Sequence, residues 1–378
     1  MIYCDNATTT FPKPPAVYDA VVHYMKDIGA NPGRSNHALA HHADTVVFDT
    51  REQCAALFNV ADSSRMVFTL NATEALNTAL FGLLKPGDNV AVSPMEHNAV
   101  MRPLRFLQRK RHITIKQIPP TINGLIDLDA LDTVLKSGIR LVIINHASNI
   151  CGTIQPLDAI GALVRRHNSL LMVDAAQSAG LLPIDVQNMR IDVLAFSGHK
   201  GLYGPQGTGA LYIGSTIALR PLKFGGTGSK SESEEQPDFL PDAFESGTLN
   251  APGIAGLGAG IDFINQQTIP VIRQHGINLS RHFLDAVSTI PSITTHGVSM
   301  PETMLPTISL TINNKDMGET ARRLNDEFGI CCRMGLHCAP LAHQTLGTFP
   351  NGTLRFSFGY FNTHDDIDIL INALRCCA

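Results

Sequence analysis

Apolar stretches typical of β-strands alternate with helix-like stretches from about residue 65 to residue 214. This alternation predicts a parallel sheet flanked by helices, because parallel strands are joined by long crossover connections that are usually helical. The strand candidates share an apolar run, and they are 66–70, 89–93, 113–118, 141–145, 170–174, 193–196 and 209–213. The helix candidates between them are 73–84, 97–108, 128–135 and 157–167. The last strand follows a short Gly- and Pro-containing loop, so we expect it to run antiparallel to the others.

The flanking segments predict a second, smaller unit after this core. Further helix candidates are 16–27, 37–58 and 253–267. The polar, Gly- and Ser-rich segment 225–235 is either a solvated surface loop or a mobile cover for a site. A chain of 378 residues suits more than one hydrophobic core. We therefore expect a large domain at 15–260 and a small α+β domain formed by 1–14 together with 261–378.

The composition is that of an ordinary folded protein and narrows the classes of partner. Hydrophobic residues make up 44% of the chain and charged residues 16%, with a net charge of −4 and no basic block. We see no signal-peptide pattern and no apolar run long enough to span a bilayer. Eight cysteines in a chain of this length are too sparse for a disulfide scaffold. We expect a cytoplasmic protein that binds neither nucleic acid nor membrane.

Two of the predicted strands end in residues that carry chemistry. Asp174 ends the strand 170–174, and Lys200 closes the run 197–200 directly after the strand 193–196. Ligands of open α/β sheets bind at the carboxyl ends of the strands. A lysine that can form a Schiff base and an acid that protonates a pyridine nitrogen are the minimum for a pyridoxal phosphate enzyme. The plainer alternatives are a solvated lysine and an aspartate that caps a helix.

Other polar residues fall at the same predicted edge. The run 71–74 closes one strand and opens a helix, where exposed N–H groups can bind a phosphate, although Thr73 could equally be a plain N-cap. Ser197 and His199 could donate hydrogen bonds to that phosphate. His97 follows another strand and could stack on an aromatic cofactor, or it could be incidental.

These runs resemble the motifs of class V aminotransferase-fold enzymes, which are fold-type I pyridoxal phosphate transferases. The matching motifs keep the family's order and are Asp5-Asn6-Ala7-Thr8-Thr9, Asn71-Ala72-Thr73-Glu74, His146-Ala147-Ser148-Asn149-Ile150-Cys151-Gly152, Asp174-Ala175-Ala176-Gln177, Ser197-Gly198-His199-Lys200 and Glu245-Ser246-Gly247-Thr248. The resemblance implies an α/β fold with a mostly parallel seven-stranded sheet sandwiched by helices.

The resemblance also implies how pyridoxal 5'-phosphate is held. Lys200 would carry the cofactor covalently, Asp174 would pair with the pyridine nitrogen, and His97 would stack on the ring. Gln177 would contact the ring hydroxyl, and Asn149 would lie beside the ring. The residues implied at the phosphate end are Asn71, Ala72, Thr73, Ser197, His199 and Thr248. The family lends the segment matching 245–248 across a dimer interface, which implies a homodimer with shared sites.

The C-terminal part is similar to SUF-type, group II cysteine desulfurases. The run Arg333-Met334-Gly335-Leu336-His337-Cys338-Ala339 matches the loop that carries the thiol of that group. By this resemblance L-cysteine or L-selenocysteine is the substrate, and Cys338 takes its sulfur and passes it to a small sulfur-acceptor protein. Arg355 would receive the substrate carboxylate, with Asn149 and Arg333 beside it. A thiolate is the reactive form of Cys338, and a cationic neighbour favours it; His337 and Arg333 are both candidates.

Several cysteines and one threonine leave questions open. Spacing around 331–338 does not fit paired zinc ligands, so we expect no metal. The pair Cys376-Cys377 is either incidental or a second acceptor of sulfur. The family reads Asn-Ala-Ala-Thr near its start, whereas this chain has Thr8 in place of the second alanine. Cys151 stands where a bulkier apolar residue is common. Both departures fall near the expected substrate pocket.

Four functions remain compatible with these residues. The leading one is cysteine desulfuration with a persulfide on Cys338. Selenocysteine lysis is the second, because selenium leaves more readily than sulfur and can leave without the thiol. A transaminase or carbon–sulfur lyase acting on another amino acid is the third. A partner-binding scaffold that keeps the cofactor for structural reasons is the fourth, and the presence of Lys200, Asp174, His97, Arg355 and Cys338 argues against it.

Overall fold

A computed structural model describes residues 1–298 and 300–378 of the chain. Its strands, numbered in chain order, are β1 Ile2–Tyr3, β2 Met66–Thr69, β3 Asn89–Val92, β4 Thr114–Gln117, β5 Leu141–Asn145, β6 Leu170–Asp174, β7 Val193–Ser197, β8 Gly209–Ile213, β9 Ile293–His296, β10 Thr307–Ile312, β11 Ile330–Cys331, β12 Arg333–Gly335 and β13 Thr353–Ser357.

The α-helices are α1 Pro15–His23, α2 Ala38–Leu57, α3 Ala72–Leu83, α4 Asn98–Arg111, α5 Leu128–Leu135, α6 Leu157–Arg166, α7 Ala251–Gln267, α8 Ile269–Val287, α9 Met317–Phe328, α10 Pro340–Thr345 and α11 His364–Cys377. Short 3-10 turns lie at Ser63–Arg65, Ile122–Gly124 and Pro301–Thr303. None of the helices in the described part of the chain combines the length and apolarity that a bilayer crossing needs.

The largest sheet confirms the predicted fold class. It has seven strands in the order β2-β8-β7-β6-β5-β3-β4. Strand β8 runs antiparallel to both of its neighbours, β2 and β7, and the other pairs are parallel. The protein is therefore an α/β protein with a mostly parallel sheet. The antiparallel direction of β8 follows from the short loop before it, which leaves no room for a crossover helix.

Helices cover both faces of this sheet, which explains its nearly continuous apolar strands. In the fully buried strand β5, Leu141 and Ile143 join the core formed with α3 and α4. The alternate residues Val142 and Ile144 join the core formed with α6 and α7. Successive side chains of a strand point to opposite faces, so a strand buried on both sides must be apolar at every position. The carboxyl ends of the strands are left as the polar edge.

The C-terminal part builds a second sheet with its own core. Strands β12, β13, β10 and β9 form an antiparallel sheet in that order, packed against α8, α9 and α11. Strand β1 pairs in parallel with β11, so the first residues of the chain join this part. The expected boundary between 260 and 261 falls inside the continuous helix α7. The division into two domains at that point stays a prediction.

Two flanking segments differ from, or add to, their predictions. The helix predicted at 16–27 ends at His23 and continues as a π-helical turn, Tyr24–Ile28. Gly29 stops it in the left-handed conformation, with φ of 58°, which favours glycine. Segment 225–235 is irregular and largely exposed, and Arg34 Nη2 donates to the carbonyl of Gly226 within it.

Candidate active site

A cavity of about 290 Å³ lies at the carboxyl ends of β5, β6 and β7. Its lining residues come from strand ends and the loops after them, and they are Thr8, Asn71, Ala72, Thr73, His97, Ala99, Asn145, Asn149, Asp174, Ala176, Gln177, Ser197, His199 and Lys200. The cavity therefore brings together all the predicted cofactor residues except Thr248. That residue lines a separate surface pocket beside Glu74 and Lys223.

Asp174 and Lys200 come to this cavity from neighbouring parallel strands. Asp174 is the last residue of β6, and Lys200 follows the end of β7. Burial lowers the pKa of Lys200 to about 8, although the charge of Asp174 opposes that shift. Burial raises the pKa of Asp174, against the N–H of Ala176 and the charge of Lys200. A lysine with such a pKa is partly neutral near pH 8, and the neutral amine is its nucleophilic form.

His97 is fixed in one neutral form at the start of α4. Its Nδ1 accepts a hydrogen bond from the backbone N–H of Ala99 at 3.0 Å. Burial lowers the pKa of His97 to about 4, and the charge of Lys200 adds to the shift. Because Nδ1 is an acceptor, the single proton of the neutral ring is on Nε2. The ring is therefore an uncharged surface at the cavity wall.

The start of helix α3 forms another end of the cavity. The side chain of Asn71 caps this helix by accepting from the N–H of Glu74 at 3.0 Å. Ser197 Oγ accepts from the N–H of Ala72 at 2.9 Å, which leaves the hydroxyl proton of Ser197 for another partner. Gly209 makes this approach possible, because a Cβ there would lie 2.9 Å from the backbone of Asn71. Helix starts of this kind favour anions.

Arg355 comes from strand β13 of the second sheet and does not itself line the cavity, but it contacts the lining residues Asn149 and Thr8. Its Nη2 pairs with Asp5 Oδ1 at 2.6 Å, and its Nη1 donates to the carbonyl of Asn149 at 2.7 Å. Burial lowers the pKa of Arg355, and Asp5 opposes that shift. The guanidinium is therefore held on one side by Asp5, near the start of the sequence, and on the other by Asn149, in the loop after strand β5 of the large sheet.

Cys338 lies at the surface beside Arg333. Its sulfur is 3.8 Å from Arg333 Nη2, and its side chain is exposed. His337 and Cys338 both have positive φ, 49° and 58°, a conformation that non-glycine residues rarely adopt. The N–H of Asn98 donates to the carbonyl of Cys338 at 2.8 Å, which ties the loop to the residue after His97.

His337 is not a cationic neighbour of this thiol. Burial lowers the pKa of His337 to about 3, and the charge of Arg355 adds to the shift. Its ring points away to His343 Nε2, 3.3 Å from Nδ1, and to the carbonyl of Arg333, 3.3 Å from Nε2. Of the two candidates from the sequence, the structure therefore leaves Arg333 as the cation nearest to Cys338.

Several buried polar atoms around the cavity make no hydrogen bond within the described residues. Counting the described residues only, Asn149 Oδ1, His199 Nδ1 and Arg355 Nε have no hydrogen-bond partner. Buried polar atoms in proteins are nearly always paired, so such atoms indicate where a polar ligand binds. The cavity thus offers a reactive amine, a buried carboxyl, a neutral ring and an anion-binding helix start. This combination fits a pyridine phosphate that carries an aldehyde.

Comparison with known proteins gives the family. The family model described as Aminotransferase class-V matches residues 2–370. This chain belongs to the aminotransferase class-V family. It is 37% identical over 381 residues to the probable cysteine desulfurase of Methanothermobacter thermautotrophicus, covering 99% of this chain and 94% of the relative. It is 32% identical to the cysteine desulfurase of Yersinia pestis, covering 99% and 93%.

Solved structures of cysteine desulfurases share the overall fold of this chain. The apo structure of the cysteine desulfurase from Thermococcus onnurineus NA1 has a TM-score of 0.94 and 29% identity, covering 100% of this chain and 94% of that one. The cysteine desulfurase CsdA from Escherichia coli, solved as the S-sulfonic acid, has a TM-score of 0.88 and 29% identity, covering 99% and 94%.

Two polar residues that contact the lining of this cavity were not identified from the sequence. Glu96 is fully buried beside His97, and burial raises its pKa to about 8; its Oε1 accepts from Ser93 Oγ at 2.6 Å and from the N–H of Asn145 at 2.8 Å. Lys13 Nζ donates to the carbonyl of His199 at 2.7 Å. The position of Glu96 directly before His97 could have drawn attention to it. No local signal marks Lys13.

Proposed function

We propose that this protein is a pyridoxal 5'-phosphate-dependent cysteine desulfurase. It converts L-cysteine to L-alanine and leaves a persulfide on Cys338. The relatives named cysteine desulfurase support the activity over nearly the full chain. The observation that carries the proposal for this chain is the exposed Cys338 sulfur held 3.8 Å from Arg333 and tied to the cavity wall through Asn98.

The residues around the cavity divide the work of holding the cofactor. Lys200 would bind it covalently and Asp174 would pair with the ring nitrogen. His97 would stack on the ring, with Gln177 at the hydroxyl and Asn149 beside it. Asn71, Ala72, Thr73, Ser197 and His199 would hold the phosphate. Bound pyridoxal phosphate supplies an electron sink for the carbanion that forms when the substrate loses its Cα proton.

Other side chains bind the substrate and move its atoms. Arg355 receives the α-carboxylate through donors that include the unpartnered Nε, with Asn149 beside it. Lys200, with a pKa of about 8, accepts the Cα proton once its amine is free. The Cys338 thiolate then attacks the substrate sulfur: the S–S bond forms, the Cβ–Sγ bond breaks, and its electron pair stays with the carbon skeleton. That skeleton takes up protons and leaves as alanine.

We further propose that two copies of the chain share each site. Thr248 lies outside the cavity of its own chain, and its segment is firmly held. Glu245 forms a buried pair with Arg51, with contacts of 2.6 and 2.8 Å, and also accepts from the N–H of Phe68 at 2.6 Å. A rigid segment that presents Thr248 outward suits contact with a partner's phosphate site. The exposed Cys338 suits delivery of sulfur to a small acceptor protein in the cytoplasm.

Substitution of Cys338 tests the activity. We expect Cys338→Ala to abolish sulfide release from L-cysteine while the cofactor spectrum still changes on adding the amino acid. Alanine, sulfide and selenide are measured together on L-cysteine and L-selenocysteine, and the mass of the Cys338 peptide is measured after turnover. Full sulfide release by the variant would contradict the assigned nucleophile. Persistent selenide release with no sulfide release by the wild type would favour selenocysteine lysis instead.

A further inference from the structure

The hydroxyl of Thr8 joins the two arginines of the site. Its Oγ1 accepts from Arg333 Nη1 at 3.1 Å and from Arg355 Nη2 at 2.8 Å, and lies 2.9 Å from Asp5 Oδ1. Guanidinium groups only donate and an ionised carboxylate only accepts, so the direction of every bond is fixed. Thr8 gives its one proton to Asp5 and uses both lone pairs for the arginines.

This arrangement sets the direction of the Arg333 side chain. One nitrogen of its guanidinium, Nη1, is held by Thr8, and the other, Nη2, lies 3.8 Å from the Cys338 sulfur. The guanidinium is planar and rigid, so fixing one nitrogen also fixes where the other one points. Without such an anchor, a long side chain would populate several rotamers, and Nη2 would lie beside the sulfur for less of the time.

Among the described residues, the charges around Thr8 leave one positive charge without an ion-pair partner of its own. Asp5 forms an ion pair with Arg355, and Arg333 shares only the hydroxyl with them. The excess positive charge is therefore held beside the sulfur, where it attracts an incoming anion such as a carboxylate. Thr8 lets the two guanidinium groups approach a common oxygen in spite of their like charge.

The same position carries alanine in the pattern of the family that this chain resembles. A methyl group has neither a proton for Asp5 nor lone pairs for the arginines. The junction of Asp5, Thr8, Arg333 and Arg355 therefore depends on a residue in which this chain departs from that pattern.

We propose that Thr8 is a positioning residue that directs Arg333 at the Cys338 sulfur and couples it to Arg355. This inference deepens the proposed desulfurase function and rests on it for the meaning of Cys338. Thr8 touches neither reacting atom itself. Its effect is transmitted through the guanidinium of Arg333.

The test compares three variants of the cofactor-loaded protein. Thr8→Val keeps the shape and removes the hydroxyl, Thr8→Ala restores the family residue, and Thr8→Ser keeps the hydroxyl as the matched control. Each is alkylated with iodoacetate, which is anionic, and with iodoacetamide, which is neutral, and the mass of the Cys338 peptide gives both rates. The ratio of the two rates reports the positive charge near the sulfur independently of turnover.

We expect the iodoacetate-to-iodoacetamide ratio to fall by about tenfold in Thr8→Val and Thr8→Ala, the scale of one charge-assisted hydrogen bond, and by less than about twofold in Thr8→Ser. The concentration of L-alanine that half-saturates the change in the cofactor spectrum should rise in the same two variants, because Arg355 loses its shared anchor. An unchanged ratio in Thr8→Val, at an unchanged melting temperature, would overturn the proposal.

The outcomes for Thr8 and for the proposed function are separable. If Cys338→Ala keeps full sulfide release, the proposed function fails, whatever the alkylation ratios are. If Cys338→Ala is inactive and the ratio is insensitive to Thr8, the function stands and the role of Thr8 is refuted. A loss of folding in Thr8→Val would shift the decision to Thr8→Ala and Thr8→Ser, where a common ratio would refute the role.

Discussion

Glu96 places an acid in a fully buried position directly before the ring of His97. Its Oε1 is paired with Ser93 and Asn145, whereas its Oε2 has no partner within the described residues. Burial raises its pKa from 4.5 to about 8, so the folded protein binds a proton there that the unfolded chain releases above pH 4.5. Stability from this group is therefore lost as pH rises from about 4.5 to about 8.

Replacing this acid should remove that dependence. We expect the melting temperature of the wild type to fall between pH 6 and pH 8, and that of Glu96→Gln to fall less, because the amide stays neutral and can still accept from Ser93 and Asn145. Thermal unfolding at the two pH values measures the difference. Equal pH dependence in both proteins would show that Glu96 is ionised in the folded state.

The largely buried Asp5–Arg355 ion pair predicts that removing one charge at the site lowers the stability of the fold. Asp5→Asn leaves the buried Arg355 without its counter-charge, and breaking such a pair costs about 3–5 kcal/mol. Because the Asp5 side chain is 18% exposed, we expect the lower end of that range. Asp326→Asn breaks an exposed pair with Arg322 on α9 and should cost far less, because solvent screens that pair. Denaturant unfolding compares the two, and similar costs would contradict the role of burial.

At the scale of elements, a series of hydrogen bonds links helix α10 to the loop that carries Cys338. The chemistry of the groups fixes the direction of each bond. The carbonyl of Arg333 only accepts, so His337 donates to it from Nε2 and accepts at Nδ1 from His343 Nε2. His343 Nδ1 must then accept from Thr348 Oγ1, at 2.7 Å. Burial lowers the pKa of His343 to about 4, so both imidazole rings of this hydrogen-bond chain are neutral.

Removing the first donor of this chain should loosen the loop. Thr348→Val leaves His343 Nδ1 buried without a donor, which costs about 1–3 kcal/mol in the free energy of unfolding. Thr348→Ser keeps the hydroxyl and should cost much less. The comparison uses denaturant unfolding together with the rate of sulfide release, and we expect the rate to fall in Thr348→Val only. Equal stability of the two variants would show that the hydrogen bond from Thr348 to His343 does not support the loop.

The elements of the large sheet were predictable, whereas the junctions between parts were not. Periodicity predicted strand 141–145 and helix 128–135 at their observed bounds, because each is determined by local burial. The pairing of β1 with β11 and the contact of Asp5 with Arg355 join residues more than 300 positions apart. No local pattern carries that information. The direction of the His337 ring also depends on His343, which the local motif does not identify.

At the scale of the whole molecule, the proposed homodimer predicts complementation between two inactive variants. In Lys200→Ala the covalent site is lost, and in Thr248→Arg a bulky cation should block the partner's phosphate site. If sites are shared, a mixed dimer has one site with both wild-type residues, so mixing the refolded chains should restore up to about a quarter of wild-type activity when random pairing makes half of the dimers mixed.

The reverse arrangement gives a different result for the same mixture. If Thr248 served only its own chain, each site in a mixed dimer would carry one of the two defects, and no activity would return. Mixing Thr248→Arg with a second site-blocking substitution at the same exposed position, such as Thr248→Trp, is the matched control and should stay inactive under either arrangement. Size-exclusion chromatography of each mixture checks that dimers form.

The pairing of β1 with β11 has a consequence for how the protein is made. The walls formed by residues 71–200 are synthesised within the first 200 or so positions of the chain. Asp5, by contrast, is synthesised 350 residues before the Arg355 with which it pairs. The pocket for the vitamin-derived group can therefore take shape on a nascent chain, while the proposed grip on the amino acid is assembled only after residue 355 has emerged from the ribosome.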